Sequence, residues 1–181
     1  MPDDPTIDLS PAELREVARY AAACARPALA VYEADHPADP RPRAAVDAAQ
    51  AYAEGARRSR ALRDSAWAAQ RAAGEARDAG RPAASEAARA ALAAAGAAFL
   101  HPLAKATQVK HILGAAAHAA RAYELDAGDD PTVGADHLAR FRVLAPPVVV
   151  DVLRRYPAAP DKGGRVGELI RQLDTSLRSA G

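Results

Sequence analysis

"TQVKHILGAAAHAARAYEL", residues 107–125, decides how this chain folds. Ala106, Val109, Leu113, Ala116, Ala120 and Tyr123 recur in steps of three and four, the spacing of one helix face. Thr107, His111, Gly114, His118, Arg121 and Leu125 repeat that rhythm on roughly the opposite side. A helix with two such faces meets neighbours on both, so the pattern predicts a central helix from about Leu103 to Ala127. Most of these side chains are methyl-sized, which lets neighbouring backbones come close.

The same reading extends in both directions. "LSPAELREVARYAAACARP" opens with Ser10 as cap, Pro11 in the first helical position and Glu13 closing a capping box. Pro27 should kink or break that helix. "DPRPRAAVDAAQAYAEGARR" restarts helix with Asp39 as candidate cap. "SRALRDSAWAAQRAAGEARDAG" reads as a third helix ending at Gly80. "RPAASEAARAALAAAGAAFL" reads as a fourth, with Ala88, Leu92, Ala95 and Phe99 as its seam. Beyond the central helix, one begins near Pro131 and is interrupted at Pro146-Pro147. "VVVDVLRRYP" has the β-branched content of a strand, but its helical flanks favour a short helix. Val166, Leu169, Ile170, Leu173 and Leu177 mark the last one. The expected fold is all-α: a flexible segment 1–9, then a single helical domain over 10–181. About seven helices pack as antiparallel hairpins, in a bundle or a short solenoid-like stack.

Composition narrows the function classes. Hydrophobic residues make up 50% of the 181 and aromatic ones 4%, so alanine carries most of the apolar count. The formal net charge is +1, which gives no general attraction to nucleic acid. Cys24 is the single cysteine, so no internal disulfide forms, and its flanks read as a helix interior. "MPDDPTIDLSP" lacks the apolar core of a signal peptide, and no apolar run reaches the length of a membrane span. The expected location is the cytoplasm. Neither a phosphate-binding glycine loop nor a nucleophile elbow is present, so no catalytic residue or cofactor is expected.

The candidate functional residues fall in two places. "YEADHPADPRPR", residues 32–43, holds Glu33, Asp35, His36, Asp39, Arg41 and Arg43, with X-Pro bonds that hold the backbone extended. It reads as a rigid helix connector or as a preorganised docking loop for another protein. His111 and His118 stand seven residues apart, about 10.5 Å of helical rise, so the two alone cannot clasp one ion. They read as hydrogen-bonding groups in a helix seam, as a polar patch for a partner, or as metal ligands together with His36, His101 or Glu33. Trp67 reads as a core residue, or as an interface anchor if exposed.

These segments also carry a resemblance. "HPADPRPRAAVDAAQAYAEGARR", "AWAAQRAAGEA", "AARAALAAAGAAFLHPLAKATQVKHILGAAAHAARAYEL" and "VLRRYP" resemble the immunity proteins of bacterial polymorphic-toxin systems, in the Imm-5-like group. The likeness spans roughly residues 10–157 and is most specific at His36–Arg43 and in the helix bearing His118. It implies an all-helical cytoplasmic protein that neutralises a cognate toxin by binding it, with no chemistry of its own. The positions carried over are Asp39, Arg41, Arg43 and His118. Two other readings stay open: a metal-dependent enzyme or sensor built on the histidines, and a helical adaptor or homo-oligomer joined through alanine seams.

Overall fold

The computed structural model describes residues 5–180. These form nine α-helices: α1 Pro11–Ala25, α2 Leu29–Asp35, α3 Arg41–Ala53, α4 Arg60–Asp78, α5 Pro82–Gly96, α6 Val109–Asp126, α7 Pro131–Leu144, α8 Pro147–Arg154 and α9 Gly164–Ser179. Nine stand where about seven were expected: Pro27 breaks the first helix, one of the two outcomes expected there, and the interruption at Pro146-Pro147 sets α8 apart from α7. Pro27 sits in a 3-10 turn between α1 and α2, and Pro146-Pro147 separates α7 from α8. "VVVDVLR" is helical, as its flanks suggested.

The capping box of α1 is present as read: the Ser10 hydroxyl accepts from the Glu13 N–H, and the Glu13 carboxylate accepts from the Ser10 N–H. Asp39 lies one residue before the N-cap Pro40, yet its carboxylate accepts the Arg41 N–H at 3.0 Å. The central helix begins later than expected. Residues 102–104 run extended beside residues 5–7, with Ile7 N–H bonded to the Pro102 carbonyl and Ala104 N–H to that of Pro5. Pro102 and this pairing hold the chain out of helix until Val109, after a 3-10 turn at Ala106–Gln108. Of the segment 1–9 expected to be flexible, residues 1–4 lie outside the described residues and residues 5–7 make these bonds.

The architecture is a bundle around a central pair, α5 and α6. Helix α5 packs on α1, α2, α3, α4 and α6, while α6 meets α1, α7 and α9 besides. Every buried residue of α5 is alanine except Ser85. That lets the axes close toward about 8 Å, the lower end of helix packing distances. The larger knobs come from elsewhere: Tyr32, Leu29, Ile112, Leu113, Leu153, Leu169, Leu173 and Leu177 are all fully buried. Cys24 is buried as well, and burial pushes its thiol up to about 12.

Trp67 departs from its core reading: it is 54% exposed on α4. The face of α4 turned inward is Leu62, Ala69, Ala72, Ala73 and Ala76, and an indole has no room on an alanine seam. The seam read in the fourth helix is partly wet: Ala88 and Ala95 are buried, but Leu92 and Phe99 are half-buried. Arg58 and Arg63 lie over the Phe99 ring, 5.7 and 5.2 Å from its centroid.

Candidate functional site

The segment 32–43 is a braced connector between α2 and α3. Asp39 sits at its centre. The Tyr32 hydroxyl donates to Asp39 Oδ2 at 2.6 Å, and Arg41 Nε donates to Oδ1 at 2.9 Å. The same guanidinium reaches across to α4, where Nη1 donates to Glu75 Oε1 at 3.0 Å. The Arg41 hydrogen bonds hold the Asp39 carboxyl well below the usual carboxylate range, against burial, which acts the other way. Arg43 grips Glu33 with two parallel hydrogen bonds of 2.7 and 2.8 Å, which lowers the Glu33 pKa. Asp35 is exposed, with Arg81 at 3.9 Å. His36 ends α2 and stacks on Tyr32 with ring centroids 4.6 Å apart. The sequence-predicted residues of this loop fall into separate groups: Asp39 and Arg41 with Glu75, Glu33 with Arg43, Asp35 near Arg81, and His36 on Tyr32.

The two histidines of α6 have different surroundings. His111 is half-buried beside the Gly96 backbone, and burial lowers its pKa from the ordinary 6.5. His118 Nδ1 lies 2.6 Å from Glu86 Oε2 of α5. It opens onto a groove of about 560 Å³ between α5, α6 and the start of α9. His101 is exposed, and its Nδ1 accepts the Leu103 N–H. Among the described residues no group of three or more His, Cys, Asp or Glu is placed to hold a metal ion.

Sequence reasoning missed the carboxylates that organise both places. Glu86 and Arg89 are the only charged side chains inside the alanine run of α5. Glu75 is a helix away from the loop it braces. Glu124 is fully buried and hydrogen-bonded by Arg121 of α6 and Arg165 of α9. Gly134 of α7 comes so close that a Cβ there would overlap the Glu124 carboxylate. A carboxylate on a helix face that packs against two others was the available signal, because such a group requires cationic partners.

The sequence profile of the Imm-5 like putative immunity protein family matches residues 8–142. The chain belongs to that family. The match takes in the braced loop, Trp67 and the whole of α6, and it stops within α7. No curated protein and no solved structure matches the chain. No helix of the described residues is long and apolar enough to cross a membrane.

Proposed function

We propose that this protein neutralises a cognate bacterial toxin by binding it in the cytoplasm, and that it does so without catalysis. Family membership supplies the class of function. Trp67 supplies the observation that carries the surface: a large aromatic, 54% exposed, on the helix whose Glu75 braces the loop. Trp67 and Glu75 are eight residues apart on α4, about 12 Å of rise, which fits within one standard interface patch. In this reading an indole anchor on α4 and the charged loop residues Glu33, Asp35, His36, Asp39, Arg41 and Arg43 serve one partner, on a backbone fixed by the Arg41–Glu75 link before the partner arrives. A rigid face of this kind loses little ordering entropy on association. His111 and His118 lie on α6, and His118 faces the groove, so His118 belongs to this reading only if the partner also reaches between α5 and α9.

Co-expression with a candidate toxin from the neighbouring gene tests the reading. The wild-type protein should co-purify with the toxin and restore growth. Trp67→Ala should weaken binding by about 2 kcal/mol, roughly 30-fold, with an unchanged melting temperature. If the wild-type protein forms no complex and rescues no growth, the reading fails.

A further inference from the structure

The groove beside His118 is distinct from the braced loop, and nothing in toxin recognition requires it. Its lining holds the cations Arg89, Lys110, Arg121, Lys162 and Arg165 against the lone carboxylate of Glu86. Two of the five are already matched. Arg121 and Arg165 converge on the buried Glu124, and Arg121 also meets Asp129 while Arg165 meets Glu168. Of the other three, two are unpaired and one is only loosely paired. Lys110 and Lys162 are exposed and have no carboxylate within ion-pair distance among the described residues. Arg89 Nε is shut off from solvent without a hydrogen-bond partner, and its carboxylate neighbour, Glu86 Oε1, stands 3.9 Å away. Glu86 carries a single negative charge, shared between Arg89 and a contact with His118, so it offsets at most one of the three.

The chain has only three lysines, Lys105, Lys110 and Lys162, and two of them line this groove. Apart from Lys105 its other cations are arginines, many of them held by carboxylates or carbonyls, as Arg41, Arg43, Arg154, Arg155 and Arg178 are. An ammonium on a flexible stem suits a small anion that arrives and leaves. The groove also has an apolar wall, made by the half-buried Val166 and Ile170 of α9. Its volume of about 560 Å³ falls in the range of small-molecule sites.

We infer that the groove between α5, α6 and the start of α9 binds a small organic phosphate, a phosphomonoester with a compact apolar body. Arg89, Lys110 and Lys162 meet the dianion, and Val166 and Ile170 take the body. A doubly charged head matches two unpaired ammonium groups and a loosely paired guanidinium better than a single carboxylate does, and together they supply the donors for its oxygens.

Calorimetric titration of the full chain with phenyl phosphate, inorganic phosphate and benzoate, in about 0.15 M salt, decides it. Phenyl phosphate should bind one to one and more tightly than either of the others. The double variant Lys110→Gln/Lys162→Gln should bind it about tenfold more weakly or worse, with unchanged circular dichroism, because both side chains are exposed. Arg60→Gln, on the exposed side of α4 and outside the groove, should bind it as the wild type does. The inference is overturned if phenyl phosphate shows no saturable binding or binds no more tightly than inorganic phosphate or benzoate. It is equally overturned if the double variant binds as well as wild type, or if Arg60→Gln loses as much.

Discussion

The loop at 36–43 and the groove beside His118 both gather charged side chains, and they leave their charges in opposite states. In the loop, Asp39 is matched by Arg41, Arg41 by Glu75 as well, and Glu33 by Arg43. In the groove, Lys110 and Lys162 are unmatched, and Arg89 has only a distant carboxylate. A dense run of charge in the sequence thus marks the stiffer place. Its members are close enough along the chain to satisfy one another, with Glu75 completing Arg41, so they fix the backbone rather than leave charge open for a small anion. The open charge comes from residues 89, 110 and 162, which no local reading would group.

The strongest way to break that contrast is at the floor of the groove. Arg165→Met removes the guanidinium that donates to both oxygens of Glu124, leaving a fully buried carboxylate with Arg121 alone. An uncompensated buried charge of this kind costs about 3 kcal/mol or more. Urea unfolding should show that loss. Adding Glu124→Gln to Arg165→Met should return part of it, since the neutral amide asks for less. If the single variant melts with the wild type, Glu124 is not held by charge at all.

A smaller loss is expected in the loop. Asp39→Asn leaves the shape but takes away the charge that Tyr32 and Arg41 both meet, and hydrogen bonds to ionised groups are worth about 2 kcal/mol. Arg41 keeps Glu75, and the site is partly open to water, so the effect stays below that at Glu124. A drop in the denaturant midpoint at constant slope is the expected reading. A drop larger than that of Arg165→Met would reverse the ranking of the two regions.

How much of this could be read from the chain follows from the same physics. Helix periodicity is local, so α1, α4, α5 and the two-faced α6 were legible, as was the helical nature of "VVVDVLR". The loop residues were legible as a cluster because six of them fall within eleven positions, Glu33 to Arg43. The start of α6 was not, because the pairing of residues 102–104 with residues 5–7 spans nearly a hundred positions. Trp67 was misplaced because an aromatic on an apolar-rich helix says nothing about how narrow the seam beneath it is. The groove was out of reach for both reasons: its residues are distant, and its floor depends on Arg165 finding Glu124 from another helix.

The finest distinction lies within α6, between its two histidines. His118 is tied to Glu86 at the edge of the groove, while His111 is pressed against the Gly96 backbone, with burial as the main cause of its lowered pKa and Lys110 as a second. A lowered imidazole pKa makes stability depend on pH in a fixed direction. Near pH 6.5 the unfolded chain takes up a proton at this position and the folded one does not, so unfolding gains ground as pH falls. Stability therefore rises with pH up to about 6.5 and is insensitive to this group above it. The window is separate from that of Glu13, whose carboxyl is held down to about 2 by Arg155 and the Ser10 N–H. That group's contribution is present above 4.5 and disappears only as pH falls toward 2. His137, stacked on Tyr123 at 3.8 Å, is also lowered by burial and acts in the same direction as His111. Unfolding free energies measured between about pH 7.5 and pH 5 should fall toward the acid side in the wild type, less so in His111→Gln, and least in His111→Gln/His137→Gln. A wild-type profile that stays flat through this range would mean that His111 meets water freely, and that the seam at Gly96 is looser than an alanine-lined contact permits.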